Sequence, residues 1–236
     1  MMNRQTTSSF HAWRNVLVII LLSCLIIGLP NFVILTRYLP TVTDARSGAG
    51  WFLTIYAVCV IVVVGLILVW LRSTNLSLAD LGWGKPTSLL AIVLGIVFGL
   101  AWLSLSLFGA SHALKGKAGI SLTEINLFRL AIALLGVIIS AGEEIIMRGF
   151  VMNELNRAAV PVWLQIIISG LGFALYHSVG NFSLQSLIPS FVFSAVLAVI
   201  FVVGRRSLTP SIIGHGIVNF FGEPYLAMMI LTVYAR

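Results

Sequence analysis

The chain has 236 residues, of which 59% are hydrophobic and only 9% charged, with a mean hydropathy of +1.08. No soluble domain of this length needs so much apolar surface, so the composition indicates a polytopic helical membrane protein. The net charge of +7 does not point to nucleic acid: the bases stand singly between apolar runs, as loop anchors do in a membrane protein.

Arg4, His11 and Arg14 flank the first apolar run, over residues 15–36. This run is too long for a signal peptide and lacks a small-residue cleavage site, so it reads as an uncleaved first span, with a kink expected at Pro30. A second span follows over 51–71. The polar stretch 72–88 reads as an interfacial loop, with Trp83 and Lys85 suited to the headgroup level. The third span covers 89–107, and His112, Lys115 and Lys117 lie in the loop after it. Ser121 and Glu124 form a capping-box signature that opens a helix predicted to reach residue 156, longer than a bilayer requires.

Pro161 marks the start of a fifth span, 161–178, in which Gly170 and Gly172 leave room for a close helix neighbour. A polar turn at Asn181 and Ser183 leads into a sixth span, 184–203, which contains Pro189 and ends before Arg205 and Arg206. The seventh, 208–221, contains Pro210 and is broken by Gly222, Glu223 and Pro224; residues 225–234 form a short apolar tail, an incomplete eighth span. The expected architecture is therefore all-α: one membrane domain over 1–236, a transmembrane bundle of about 7–8 helices in contact with the lipid bilayer. Cys24 and Cys59 both lie in apolar runs and read as small core residues without a disulfide.

With the N-terminus inside, the cytoplasmic side collects Arg4, Arg14, Arg72, Lys85, Arg157, Arg205, Arg206 and Arg236. The other side keeps Arg37, Arg46, Lys115 and Lys117. The bias favours a multi-pass protein of a bacterial-type plasma membrane with its N-terminus in the cytoplasm.

The stretch 141–150, AGEEIIMRGF, sets Glu143, Glu144 and Arg148 in an otherwise apolar segment. Three such groups at the centre of a membrane helix would cost on the order of 8–10 kcal/mol if uncompensated. Glu144 and Arg148 are i,i+4 neighbours in the order that favours pairing, which makes them structural support. Glu143 is turned away from that pair and has no local partner; such a carboxylate can act as a general base. His177 and His215 also lie in apolar helices, and Asn219 is a further polar group one turn beyond His215. Counted from the turn at 158–160, Glu143 and His177 lie at nearly equal depth on two antiparallel helices. Phe173, i,i+4 to His177, reads as packing beside the site.

Glu143-Glu144-x-x-x-Arg148, Phe173-x-x-x-His177 and His215-x-x-x-Asn219 resemble, in order, the three motifs of the CPBP family of intramembrane proteases. This is the CAAX protease and bacteriocin-processing group, also called Abi. The resemblance covers about 120–222, the expected catalytic core; the spans before it match only in being apolar. It implies hydrolysis of peptide bonds in membrane-associated proteins or peptides, CAAX-prenylated or leader-bearing ones among them. Glu143 would activate water, His177 would orient it, and His215 and Asn219 would stabilise the oxyanion.

The family carries a metalloprotease label, and Glu143, His177 and His215 with an open fourth position would also suit catalytic zinc. Asn219 fits an oxyanion hole better than a zinc ligand, which favours the metal-free form. Two other functions remain open. A proton-coupled transporter would use the same groups as a relay, but neither an inverted repeat nor paired broken helices are visible. A non-catalytic immunity or interaction protein would not need Glu143.

Overall fold

The structure, a computed structural model, describes residues 9–34, 45–113, 126–179 and 182–234. Among these the chain forms eight helices and no strand. They are α1 (Ser9–Val33), α2 (Ala45–Ser73), α3 (Leu89–Ala113), α4 (Leu127–Arg157), α5 (Val162–Ser178), α6 (Leu184–Val203), α7 (Thr209–Gly222) and α8 (Tyr225–Tyr234). The expected capping pair Ser121 and Glu124, and the turn residue Asn181, lie outside the described residues. Within them α4 is capped by Asn126, whose side chain accepts the Arg129 backbone N–H at 2.8 Å.

Five helices (α1, α2, α3, α4 and α6) are long and apolar enough to cross a membrane, and the protein is an integral membrane protein. α5 is apolar but has 17 residues. α7, with 14 residues, spans roughly 21 Å at 1.5 Å per residue, short of the ~30 Å hydrocarbon core. It is carried inside the bundle by its neighbours.

Two helices depart from regular α geometry. In α1 a π-turn, Cys24–Gly28, lies just ahead of Pro30. Proline has no N–H and crowds the preceding turn, and the backbone answers by widening there. In α4 a longer π stretch, Ile145–Met152, begins directly after Glu144. Such bulges recur at functional sites.

Apolar area alone cannot drive helix pairing in lipid, so close approach depends on small residues. α3 and α7 meet through glycines. A Cβ on Gly95 would come 2.3 Å from the Pro210 carbonyl oxygen, and one on Gly99 would come 2.6 Å from that of Gly214. The expected glycines of α5 behave likewise: a Cβ on Gly170 would meet the Phe191 ring of α6 at 2.9 Å, and one on Gly172 would meet Ile20 of α1 at 3.1 Å.

α4 is the central helix. Gly142 admits Val60 of α2, whose Cγ1 would be 2.3 Å from an added Cβ. α5 runs antiparallel to α4, with Ser169 reaching the Met147 carbonyl. α7 also runs antiparallel, with Asn219 at the level of Gly136 and Leu208 at the level of Gly149. The C-terminal end of α4 closes a polar cluster. There Asn15 of α1 donates to Glu154 Oε2 at 2.9 Å, Arg157 donates to Glu154 Oε1, and Arg206 donates to Asn153 Oδ1 at 3.1 Å and to Gln165.

Candidate active site

Because α4 lies between α2, α5 and α7, the groups around Glu143 come from three other helices. Glu143 and Glu144 are almost wholly buried, and so is Arg148. From α5, His177 Nε2 stands 3.6 Å from Glu143 Oε1. From α7, His215 Nε2 stands 3.4 Å from Glu143 Oε2. The equal depth of positions 143 and 177 is thus present in the fold, and the two histidine rings bracket one carboxylate.

Each histidine is oriented from behind. His177 Nδ1 lies 3.0 Å from the Phe173 carbonyl oxygen one turn earlier in α5. A carbonyl only accepts, so Nδ1 carries the hydrogen, and in the neutral ring Nε2 presents a lone pair towards Glu143. His215 Nδ1 lies 2.9 Å from Glu144 Oε1, which fixes the same tautomer. Glu144 thereby does more than pair with Arg148. Its Oε2 lies 3.1 Å from Arg148 Nε, an ion pair by distance that is off the alignment of a hydrogen bond. Arg148 in turn donates to the Ser194 carbonyl oxygen at 2.9 Å. The chain Ser194–Arg148–Glu144–His215 ties α6, α4 and α7 together behind the site.

Phe173 stacks on His177 with ring centroids 4.1 Å apart, meets His215 edge-on, and lies under the Arg148 guanidinium at 5.6 Å. It walls the site. Phe193 of α6 meets the other edge of His215 at 4.8 Å. The site opens on the His177 side: that side chain is 29% exposed, against 4% for His215 and 2% for Glu143.

Asn219 stands apart. Its amide donates to the Gly136 carbonyl oxygen at 3.2 Å, about two turns of α4 before Glu143. It shares the α7 face of His215, but its described contact is an interhelical one.

Two groups that the sequence left unmarked touch Glu143. Tyr56 of α2 donates its hydroxyl to Oε1 at 2.5 Å, and Tyr176 of α5 donates to the same oxygen at 3.0 Å. Tyr176 adjoins His177, and a tyrosine buried in an apolar helix needs a partner for its O–H, which is a signal that was there to read. Tyr56 carries no local signal, since its partner is 87 positions away.

Among the described residues no group of three His, Cys, Asp or Glu side chains closes on a point that a metal ion could occupy. Glu143 Oε1 is held by two hydroxyls, and the Tyr56 oxygen touches both that atom and His177 Nε2, 3.2 Å from the latter. The arrangement does not fit a Glu–His–His metal centre.

Residues 125–221 match the model of a family described as type II CAAX prenyl endopeptidase Rce1-like. No curated protein and no solved structure matches the chain. The matched segment holds Glu143, Glu144, Arg148, Phe173, His177, His215 and Asn219; Tyr56 lies outside it.

Proposed function

We propose that this chain, whose residues 125–221 match the Rce1-like family model, is an intramembrane endopeptidase of the CAAX-protease (CPBP) type in which Glu143 activates water without a metal. The observation that carries the reading is one buried carboxylate bracketed by two histidine Nε2 atoms, each turned inward by a bond on its far nitrogen. With the two tyrosine hydrogens on Oε1, the carboxylate's Oε2 and the two Nε2 lone pairs have no donor among the described residues, and water is the donor that hydrolysis requires.

Glu143 takes one proton from that water as its oxygen attacks the carbonyl carbon of the scissile peptide. His177, on the open side, orients the water. The tetrahedral oxyanion is met from α7 by the amide hydrogen of Asn219 that Gly136 does not use, and by His215 in the form that carries a hydrogen on Nε2 as well as on Nδ1. Glu143 returns the proton to the leaving nitrogen as the C–N bond breaks, giving a carboxylic acid and an amine. General acid–base help of this kind supplies roughly 100- to 10,000-fold in rate, and each oxyanion donor about 100-fold or more.

The substrate class is a peptide bond in a membrane-associated protein, with a prenylated CAAX peptide as the first probe suggested by the family description. We also place the N-terminus in the cytoplasm. In support, Arg157, Arg206 and the start of α1 share one end of the bundle.

The test uses purified protein in liposomes with a farnesylated, internally quenched CAAX peptide, together with a comparison of membrane peptides from cells carrying wild-type or Glu143→Gln protein. Glu143→Gln is expected to abolish product in both while inserting and melting as wild type does, and stripping with a chelator is expected to leave the wild-type rate unchanged. Equal cleavage by Glu143→Gln would remove the base assignment. Loss of activity on chelation, restored by zinc, would remove the metal-free mechanism.

A further inference from the structure

We propose that Tyr56, on α2 and outside the family segment, is a positioning residue of the active site, dividing the two oxygens of Glu143 between structural and chemical duty. The inference rests on the protease reading above and adds a residue that the three motifs do not contain.

The sequence of α2 places Tyr56 one helical turn before Val60. Val60 packs into the space left by Gly142, where an added Cβ would come within 2.3 Å of its Cγ1. Gly142 immediately precedes Glu143. The close crossing of α2 over α4 at this glycine therefore carries the Tyr56 hydroxyl to the carboxylate. The ring is held by Phe52, with centroids 6.0 Å apart, and is itself buried.

Counting hydrogens at the site shows what the hydroxyl does. Oε1 of Glu143 accepts from Tyr56 at 2.5 Å and from Tyr176 at 3.0 Å. The Tyr56 bond has the short length expected when a hydroxyl donates to an ionised carboxylate. With two donors on Oε1, the oxygen left to meet a water is Oε2, and Oε2 faces His215 Nε2 at 3.4 Å. Tyr56 has one hydrogen. Because it is given to Glu143, the contact with His177 Nε2 at 3.2 Å is oxygen lone pair against nitrogen lone pair in the resting site. His177 Nε2 and Glu143 Oε1, 3.6 Å apart, are both acceptors in that state and make no bond to each other, and His177 Nε2 stays available on its exposed side. When His177 becomes protonated, its Nε2–H finds the Tyr56 oxygen as an acceptor in place. The hydroxyl holds Glu143 in the resting state and both partners once His177 carries the proton, without itself reacting.

The prediction separates positioning from packing. Tyr56→Phe keeps the ring and removes only the oxygen. In liposomes with the quenched farnesyl peptide it is expected to lower kcat roughly tenfold to 100-fold, the usual effect of misplacing a reacting group by an ångström or less. KM should stay within about twofold, because the hydroxyl does not touch the substrate's binding surface, and detergent melting should be close to wild type. Unchanged kcat in Tyr56→Phe beside an inactive Glu143→Gln overturns this proposal alone. An active Glu143→Gln overturns the protease reading, and this proposal with it. A fall in melting temperature that accounts for the whole activity loss assigns Tyr56 to packing and also overturns it.

A second arm needs no turnover. With 3-fluorotyrosine placed at position 56, the fluorine resonance is expected to move on Glu143→Gln and to stay put on Glu154→Gln, at the far end of α4. A resonance indifferent to Glu143→Gln contradicts the proposal whatever the cleavage assay shows.

Discussion

Of the three carboxylates that helix α4 buries, Glu143 and Glu154 lie about three turns apart, and their surroundings differ in kind. Glu154, near its C-terminal end, accepts from the Asn15 amide at 2.9 Å and is ion-paired with Arg157. Its charge is answered by a cation and its oxygens by N–H donors. Among the described residues Glu143 has no Lys or Arg against it. Its described partners are two tyrosine hydroxyls on one oxygen and two histidine nitrogens at 3.4–3.6 Å. Burial is the same for both, at 1% exposure, so burial cannot be what marks a reactive carboxylate. Whether the charge is already neutralised does. A paired carboxylate is inert structure; one held by neutral hydroxyls and faced by proton acceptors is placed to act as a base.

Glu144 lies between these extremes, and removing it is the largest perturbation expected. Glu144→Ala or Arg148→Ala strands a buried charge and should lower stability by roughly 3–5 kcal/mol. Glu143→Ala should cost clearly less, since no ion partner is orphaned. Detergent melting of the three variants checks this, and equal or reversed shifts would remove the distinction between the two adjacent glutamates.

Asn219→Ala comes next. As an oxyanion donor it should lower kcat by roughly 100-fold, about 2.7 kcal/mol in the transition state, with little change in KM. Its bond to Gly136 supplies the opposing outcome: a variant that melts early with kcat intact, or that raises KM alone, makes Asn219 helix–helix glue.

Glu154→Ala should remove about 1–3 kcal/mol of stability, because Asn15 and Arg157 lose their acceptor, and leave kcat unchanged. A fall in kcat without a fall in melting would mean that the two ends of α4 are coupled.

The smallest effect is at Asp80, in the loop after α2. The Ser77 backbone N–H holds this carboxyl below its usual range, outweighing partial burial, with the Ser77 hydroxyl adding to it. A depressed carboxyl contributes stability that is fully present above its unfolded value of about 3.9 and is lost as the pH falls through the lower folded value. Since the group is largely solvated, the loss below pH 4 should stay under about 1 kcal/mol. Melting of Asp80→Asn against wild type between neutral and acid pH reads it.

Local spacing made much of this site legible. Glu144 with Arg148, Phe173 with His177 and His215 with Asn219 are each i,i+4 pairs, and counting residues from one turn set Glu143 level with His177. What spacing cannot supply is which helix packs beside which. Tyr56 looks like any aromatic residue of an apolar span until Gly142 lets α2 approach α4. Gly95 and Gly99 are a small-x-x-x-small pair, yet nothing within α3 names Gly214 of α7 as the partner. The π stretch after Glu144 is also invisible to a regular 3.6-residue count, and it alters the helix surface at the point where the site begins. The bond from His215 to Glu144 spans 71 positions and had no local sign, so Glu144 read as structural support alone.

The most direct measurement sets Glu143 and Glu154, two of the buried carboxylates of α4, side by side. Purified Glu143→Gln and Glu154→Gln proteins, reconstituted in the same liposomes, are assayed for product by mass spectrometry and for stability by melting. The account predicts that Glu143→Gln makes no product and melts as wild type does, while Glu154→Gln melts early and cleaves at the wild-type rate per folded molecule. Cleavage by Glu143→Gln at the wild-type rate would contradict it.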